Sequence, residues 1–245
     1  TRPYVEKLTE LAKTVGHSAR ETYAHSYLTK HSHTGKKILV VISPDKGLCG
    51  GLVTNLTREI IKLNQQDYIF VVIGKKVEHY VVMLGQEIIA TFPFGSSLPS
   101  FDIVFPIAQI IEEHFGQKVD SVEILSTHFI NIFSQKPVST KILPIEIEVN
   151  SENDIASKNH ELFEPNAGAI LPNLLTKYLE MTVYQQILES HLSEQAARML
   201  SMQNATNNAK DIIQDLRLEY NKNRQAKITS EILDIAGGRI HANTN

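Results

Sequence analysis

The middle of the chain alternates short unbroken apolar runs with stretches whose apolar residues recur at helical spacing. Ile38-Leu39-Val40-Val41-Ile42 and Tyr68–Ile73 are the clearest runs. Each has the length of a strand and no polar face, the pattern of a strand covered on both sides. A third strand is expected over residues 87–92, and two more over 119–129 and 138–147, the last interrupted by Pro144 and so placed near a sheet edge. Between them the spacing predicts helices over 50–65, 76–84 and 103–115. Strands alternating with helices define an α/β domain with an open, largely parallel sheet.

The two ends follow another rhythm. Residues 4–27 read as a helix in which Tyr4, Leu8, Leu11 and Val15 step by 4, 3 and 4, the seam of a coiled coil. After Pro172 neither proline nor glycine occurs until Gly237, a run of about 64 residues, or about 96 Å if helical throughout. A domain of about 100 residues is only about 35 Å across, so such a helix is expected to outreach it, even with a break around residues 179–183. Its seam runs from Leu188 through Leu192, Gln195, Met199, Met202, Thr206, Ala209, Ile213 and Leu216 to Tyr220, with polar and small members that make it a weak zipper. Gly237-Gly238 is expected to cap the helix. The expected organisation is therefore an N-terminal helix within 1–30, an α/β domain over 36–148, a polar connector over 149–172 and a long helix over 173–245. An N-terminal helix of about 37 Å cannot accompany a partner more than twice its length. A pairing segment upstream of Thr1 is expected in the natural chain.

Composition changes this picture little. Hydrophobic residues make up 42% and charged residues 21%, and the formal charge of −3 gives no field favouring nucleic acid or an anionic membrane. A single cysteine excludes an internal disulfide and multi-cysteine metal sites. No apolar run approaches the ~20 residues of a membrane-spanning helix.

Candidate chemistry is sparse. Ser43-Pro44-Asp45-Lys46-Gly47-Leu48-Cys49-Gly50-Gly51-Leu52 joins a strand to a helix, where backbone amides attract anions. Its spacing matches neither GxxxxGK[ST] nor GxGxxG, so a nucleotide loop stands beside a tight structural turn as the two readings. Cys49, near a helix start, is either a nucleophile or a small semi-buried residue. His31 and His33 have no third ligand nearby, and His114, His128 and His191 stand alone. Glu194 and Arg198 form an i,i+4 pair of the surface kind. No cofactor is expected.

Two stretches are more particular. Asp45-Lys46-Gly47-Leu48-Cys49-Gly50-Gly51-Leu52, closing in Thr54-Asn55, resembles the D-R-G-L-C-G-G-L-N element of F-type ATP synthase gamma subunits. Ser193-Glu194-Gln195-Ala196-Ala197-Arg198-Met199, continuing through Asn204-Ala205-Thr206, Tyr220-Asn221, Arg224-Gln225 and Ile228-Thr229 to Gly237-Gly238, resembles their C-terminal helix. Arg2-Pro3-Tyr4 is similar to an element midway along their first helix.

The resemblance implies a Rossmann-like domain flanked by long N- and C-terminal helices that form an antiparallel coiled coil. It also implies a non-catalytic central-stalk rotor that couples proton flow to ATP synthesis or hydrolysis. The implied partners are three alpha and three beta subunits, the epsilon subunit and the membrane c-ring, with membrane association only through the complex. Arg224 and Gln225 match a pair that bonds a beta-subunit loop, and Lys46 and Cys49 match a segment close to the acidic lever of beta. Here the tail from Arg239 to Asn245 is more polar than is usual in the family, and the cysteine-bearing chloroplast insert is missing. The expected location is the cytoplasmic face of a bacterial inner membrane, with the matrix side of the mitochondrial inner membrane as alternative. The rival reading is a Rossmann-like nucleotide-binding enzyme with a helical dimerisation arm; a self-associating signalling scaffold is a third.

Overall fold

The structure, a computed structural model, describes residues 2–19, 25–29, 35–63, 67–145 and 166–242. It divides into two compact units, Thr1–Met199 and Leu200–Asn245.

The first unit is built on a five-stranded sheet of order β3-β2-β1-β4-β5. β1 (Lys37–Ile42), β2 (Tyr68–Ile73), β3 (Ile88–Phe92) and β4 (Ser121–Asn131) are parallel, and β5 (Ser134–Leu143) returns antiparallel at the edge. The edge strand makes the sheet mixed. Pro144 does not interrupt it but follows its last residue.

The unbroken apolar runs are explained by two covered faces. Ile38, Val40 and Ile42 point into one core with Ile69, Val71 and Ile73, while Leu39 and Val41 point into the other with Phe70 and Val72. The period of two along each strand assigns alternate side chains to opposite layers. Helices α2 (Leu52–Lys62) and α3 (Lys75–Met83) cover the second face through Leu56, Ile60, Val77 and Val81. The first face is covered by α4 (Val104–His114), α1 (Arg2–Ala19) and the start of α5 (Ala167–Ala242).

The seam of α1 keeps Leu8 and Val15 of the predicted set, but Val5 and Ala12 take the places of Tyr4 and Leu11. Val5, Leu8, Ala12 and Val15 are buried, whereas Tyr4 and Leu11 are 51% and 39% exposed. α1 runs antiparallel to α5: Arg2 bonds Glu189 and Thr9 lies beside Tyr178, so advancing along one helix means retreating along the other. α1 is described as far as Ala19, residues 20–24 lie outside the described residues, and Ser26–Leu28, within the predicted helix, form a 3-10 turn instead.

α5 begins at Ala167, where the Asn166 side chain caps the Ala169 N–H at 2.8 Å, and it carries Pro172 within its second turn. The expected connector lies outside the described residues as far as 165. No break occurs near 179–183. Leu171, Leu175, Leu179, Val183 and Ile187 are buried in the first core, a stripe at helical spacing. The predicted seam faces elsewhere: Leu192 and Met199 are exposed. Gly237-Gly238 does not cap the helix, which continues to Ala242. Glycine tolerates helical angles at about 1 kcal/mol each relative to alanine, so two of them need not stop a helix.

The second unit consists of the continuation of α5, and residues 202–235 are exposed throughout. No described helix is long and apolar enough to cross a membrane.

Candidate functional site

Strand order reverses beside β1, so in this topology a ligand would be expected at the carboxyl ends of β1 and β4. The chain itself fills that place. After Ile42 the backbone passes through Ser43, whose N–H donates to the Ile73 carbonyl at 2.8 Å and whose hydroxyl lies 3.0 Å from the Gly74 carbonyl. Asp45 then turns its carboxylate across the ends of β2 and β3. It accepts the Lys75 N–H at 2.9 Å, the Phe94 N–H at 3.1 Å and the Gly95 N–H at 2.7 Å. The N-terminus of α3, where a phosphate could have sat, is thus served by an internal anion.

The next residues form the tight turn. Leu48 adopts φ +64° and Gly50 φ +60°. The left-handed angle costs a leucine about 1 kcal/mol or more, and it throws the Leu48 side chain outward, 72% exposed. Lys46 beside it is also exposed, while Cys49 turns inward beneath Leu125 and Ala197. Burial pushes the Cys49 thiol above its ordinary value; the Arg198 guanidinium opposes this shift and Glu194 adds to it. The thiol is therefore a neutral packing group, which answers the nucleophile reading.

α5 closes the rest of the crevice. Arg198 donates to Glu194 Oε1 at 2.6 Å and reaches the Gly47 carbonyl at 3.4 Å. Their side chains are 23% and 4% exposed, so this is an enclosed pair gripping the turn after β1, not the surface pair expected from i,i+4 spacing. The second oxygen of Glu194 is buried without a partner among the described residues. Earlier in α5, Gln186, Ser190 and Ser193 contact β4 at Ser126 and Thr127, just past the end of its pairing with β1. With helix side chains over both strand ends and Asp45 on the amides, the crevice required by the enzyme reading is occupied.

The structure brings Lys46 and Cys49 together on one turn. Arg224 and Gln225 lie in the second unit, both exposed; the Gln225 carbonyl accepts the Thr229 hydroxyl at 2.9 Å. The i,i+4 spacing of Glu194 and Arg198 was readable from the sequence, but neither their enclosure nor the role of Asp45 was. The isolated histidines are structural: His128 contacts Gln186 at 3.1 Å, His191 packs against Phe94, and His114 bonds its own helix at 2.9 Å. His31 and His33 lie outside the described residues. Among the described residues no group of three metal-ligating side chains exists. A cavity of about 390 Å³ lies by His25, Tyr27, Glu112 and Thr176, but its carboxylate is engaged by the Tyr27 hydroxyl at 2.6 Å.

These features define an α/β body assembled around a long helix, with its ligand crevice closed by that helix. A family profile described as ATP synthase matches residues 1–240. The ATP synthase gamma chain of Legionella pneumophila (strain Corby) is 34% identical over 249 residues, covering 97% of this chain and 84% of the relative; that of strain Paris gives the same figures. Among solved structures, a chain of the Euglena gracilis mitochondrial ATP synthase OSCP/F1/c-ring shares the fold with a TM-score of 0.68 at 18% identity, covering 100% of this chain and 92% of that one. A chain of the Tetrahymena thermophila mitochondrial ATP synthase central stalk and c-ring gives 0.56 at 22% identity, covering 83% and 99%. The chain belongs to the ATP synthase gamma chain family, the central-stalk rotor subunits of F-type ATP synthase.

Proposed function

We propose that this protein works as a non-catalytic shaft, coupling proton flow through a membrane sector to ATP synthesis or hydrolysis on beta subunits. One observation carries the reading. In the second unit the exposed residues include Ile212, Ile213, Leu216, Leu218, Ile228, Ile232, Leu233 and Ile235. At 100° per residue these point to every side of the helix. Large apolar side chains left exposed on all sides of a helix, among its charged and polar residues, mark contact with other chains, which suits a ring of three alpha and three beta subunits. The sheet body then faces epsilon and the c-ring, and membrane association arises only through them. The cytoplasmic face of a bacterial inner membrane fits the Legionella relatives, with the mitochondrial matrix side as alternative.

Within that assembly Arg224 and Gln225 bond a loop of beta. An exposed guanidinium beside an amide suits a carboxylate-bearing loop, because charge-assisted bonds are strong and geometrically selective. Lys46 meets the acidic lever of beta, while Cys49 contributes by anchoring the turn that presents it. Co-expression with alpha and beta subunits tests the reading. A stable complex whose ATP hydrolysis drives rotation of this chain is expected; a chain that purifies alone in the presence of both partners would overturn it.

A further inference from the structure

The parallel ladder between β1 and β4 ends at Val41 and Leu125, yet β4 runs on to Asn131 with only β5 beside it. Among the described residues, the edge of β4 that faced β1 therefore has no strand partner from Ser126 onward. At Thr127 two hydroxyls of α5 take the place of the missing strand. The Thr127 N–H donates to Ser190 Oγ at 3.2 Å, and the Thr127 carbonyl accepts from Ser193 Oγ at 2.9 Å. In a strand the N–H and C=O of one residue point to the same side. Thr127 thus turns both groups away from β5, where it faces Pro137, a residue with no N–H to offer. Ser190 and Ser193, three residues apart, lie on one face of the helix. Ser126 bonds Gln186 at 2.6 Å on the preceding turn.

Much of the remaining grip on α5 within this unit is apolar, through Leu171 to Ile187, joined by polar contacts at Tyr184 to the Pro99 carbonyl, at Glu189 to Arg2 and at Arg198 to the Gly47 carbonyl. Apolar contact is non-directional and tolerates small rotations. Hydrogen bonds fail beyond about 3.5 Å or below about 120°. Turning α5 by one residue, about 100°, or sliding it one turn, about 5.4 Å, would carry both hydroxyls away from Thr127.

We propose that Ser190 and Ser193 are positioning residues that lock the axial and rotational register of α5 on the sheet, so that torque crosses between body and helix without slip. The inference rests on the shaft reading. Its test uses the full complex in sealed vesicles, comparing ions pumped per ATP hydrolysed. Ser190→Ala with Ser193→Ala is expected to lower that ratio at least about threefold while hydrolysis stays within about twofold, and Ser190→Thr, which keeps the hydroxyl, is expected to pump as the unaltered chain does. An unchanged ratio in the double variant, or a Ser190→Thr ratio as low as that of the double variant, overturns the inference. If the double variant fails to assemble, amide hydrogen exchange of the Ser190→Ala chain decides. Exchange at Thr127 should quicken at least about tenfold while Val40 and Val41 stay protected, and no quickening overturns the proposal. An unaltered chain that does not assemble sinks the shaft reading instead, and is told apart by that result.

Discussion

Arg198→Ala removes the cation from a pair in which the carboxylate is the more deeply enclosed partner. Glu194 is left 4% exposed, with one oxygen already lacking a partner and the other losing its 2.6 Å contact. Stripping one partner from a buried pair costs about 3–5 kcal/mol, and the partial exposure of Arg198 brings the expectation to about 3. The Gly47 carbonyl also loses its 3.4 Å contact, a smaller term because that geometry is weak. Removing both partners leaves no stranded charge, so Arg198→Ala with Glu194→Ala should cost only about 1.5 kcal/mol, a coupling of about 1–2 kcal/mol or more in a double-mutant cycle. The chain contains no tryptophan and eight tyrosines, so urea unfolding followed by tyrosine fluorescence is the assay. A single-variant loss below about 1 kcal/mol, or a double variant no more stable than Arg198→Ala, would show that the pair is solvated and grips nothing.

Three further outcomes are expected. Gly74→Ala should destabilise the first unit by more than about 3 kcal/mol, read as a fall in urea midpoint, because Gly74 sits at φ +93° and a Cβ there would lie 1.9 Å from the Ser43 carbonyl. Cys49 should react with iodoacetamide at pH 8 at least about 100-fold more slowly in the native chain than in urea. Its folded value is raised above the ordinary 9.0, so the stability it contributes is full below pH 9.0 and is lost as pH rises from there through the folded value, visible as a falling midpoint that Cys49→Ala removes. Arg224→Ala should leave the unfolding of the first unit unchanged within about 0.5 kcal/mol, while lowering complex yield or the ratio of ATP made to ions passed. Unaltered yield and ratio would remove Arg224 from the beta contact.

The centre of the sheet was legible because β1 and β2 are covered on both faces, and such strands announce themselves as unbroken apolar runs. The face of α1 was half legible, with Leu8 and Val15 buried as the spacing predicts, and half misread because large side chains attract the eye: Tyr4 and Leu11 look like core, while Val5 and Ala12 take their places. The end of α5 was misread because glycine permits a stop without requiring one. The closed crevice was hidden for a different reason. Ser126, Thr127, Gln186, Ser190 and Ser193 each look solvent-facing alone, and their partners lie about 60 residues away along the chain. Arg198 and Gly47 are separated by 151 positions. Nothing local distinguishes a polar residue that meets water from one that meets another polar residue.

The exposed length of α5 has a consequence for the newly made chain. Lys210, Arg217, Lys222, Arg224 and Lys227 are exposed on a helix segment with no buried residue between 202 and 235. Such a helix frays readily, because most helical stability in proteins comes from packing. Until other chains enclose it, it offers trypsin-like proteases a row of cleavable bonds and offers chaperones an oily rod. Synthesis in excess of its partners would therefore be trimmed to the sheet-bearing fragment, making the abundance of the intact chain a readout of how much of it has found its place.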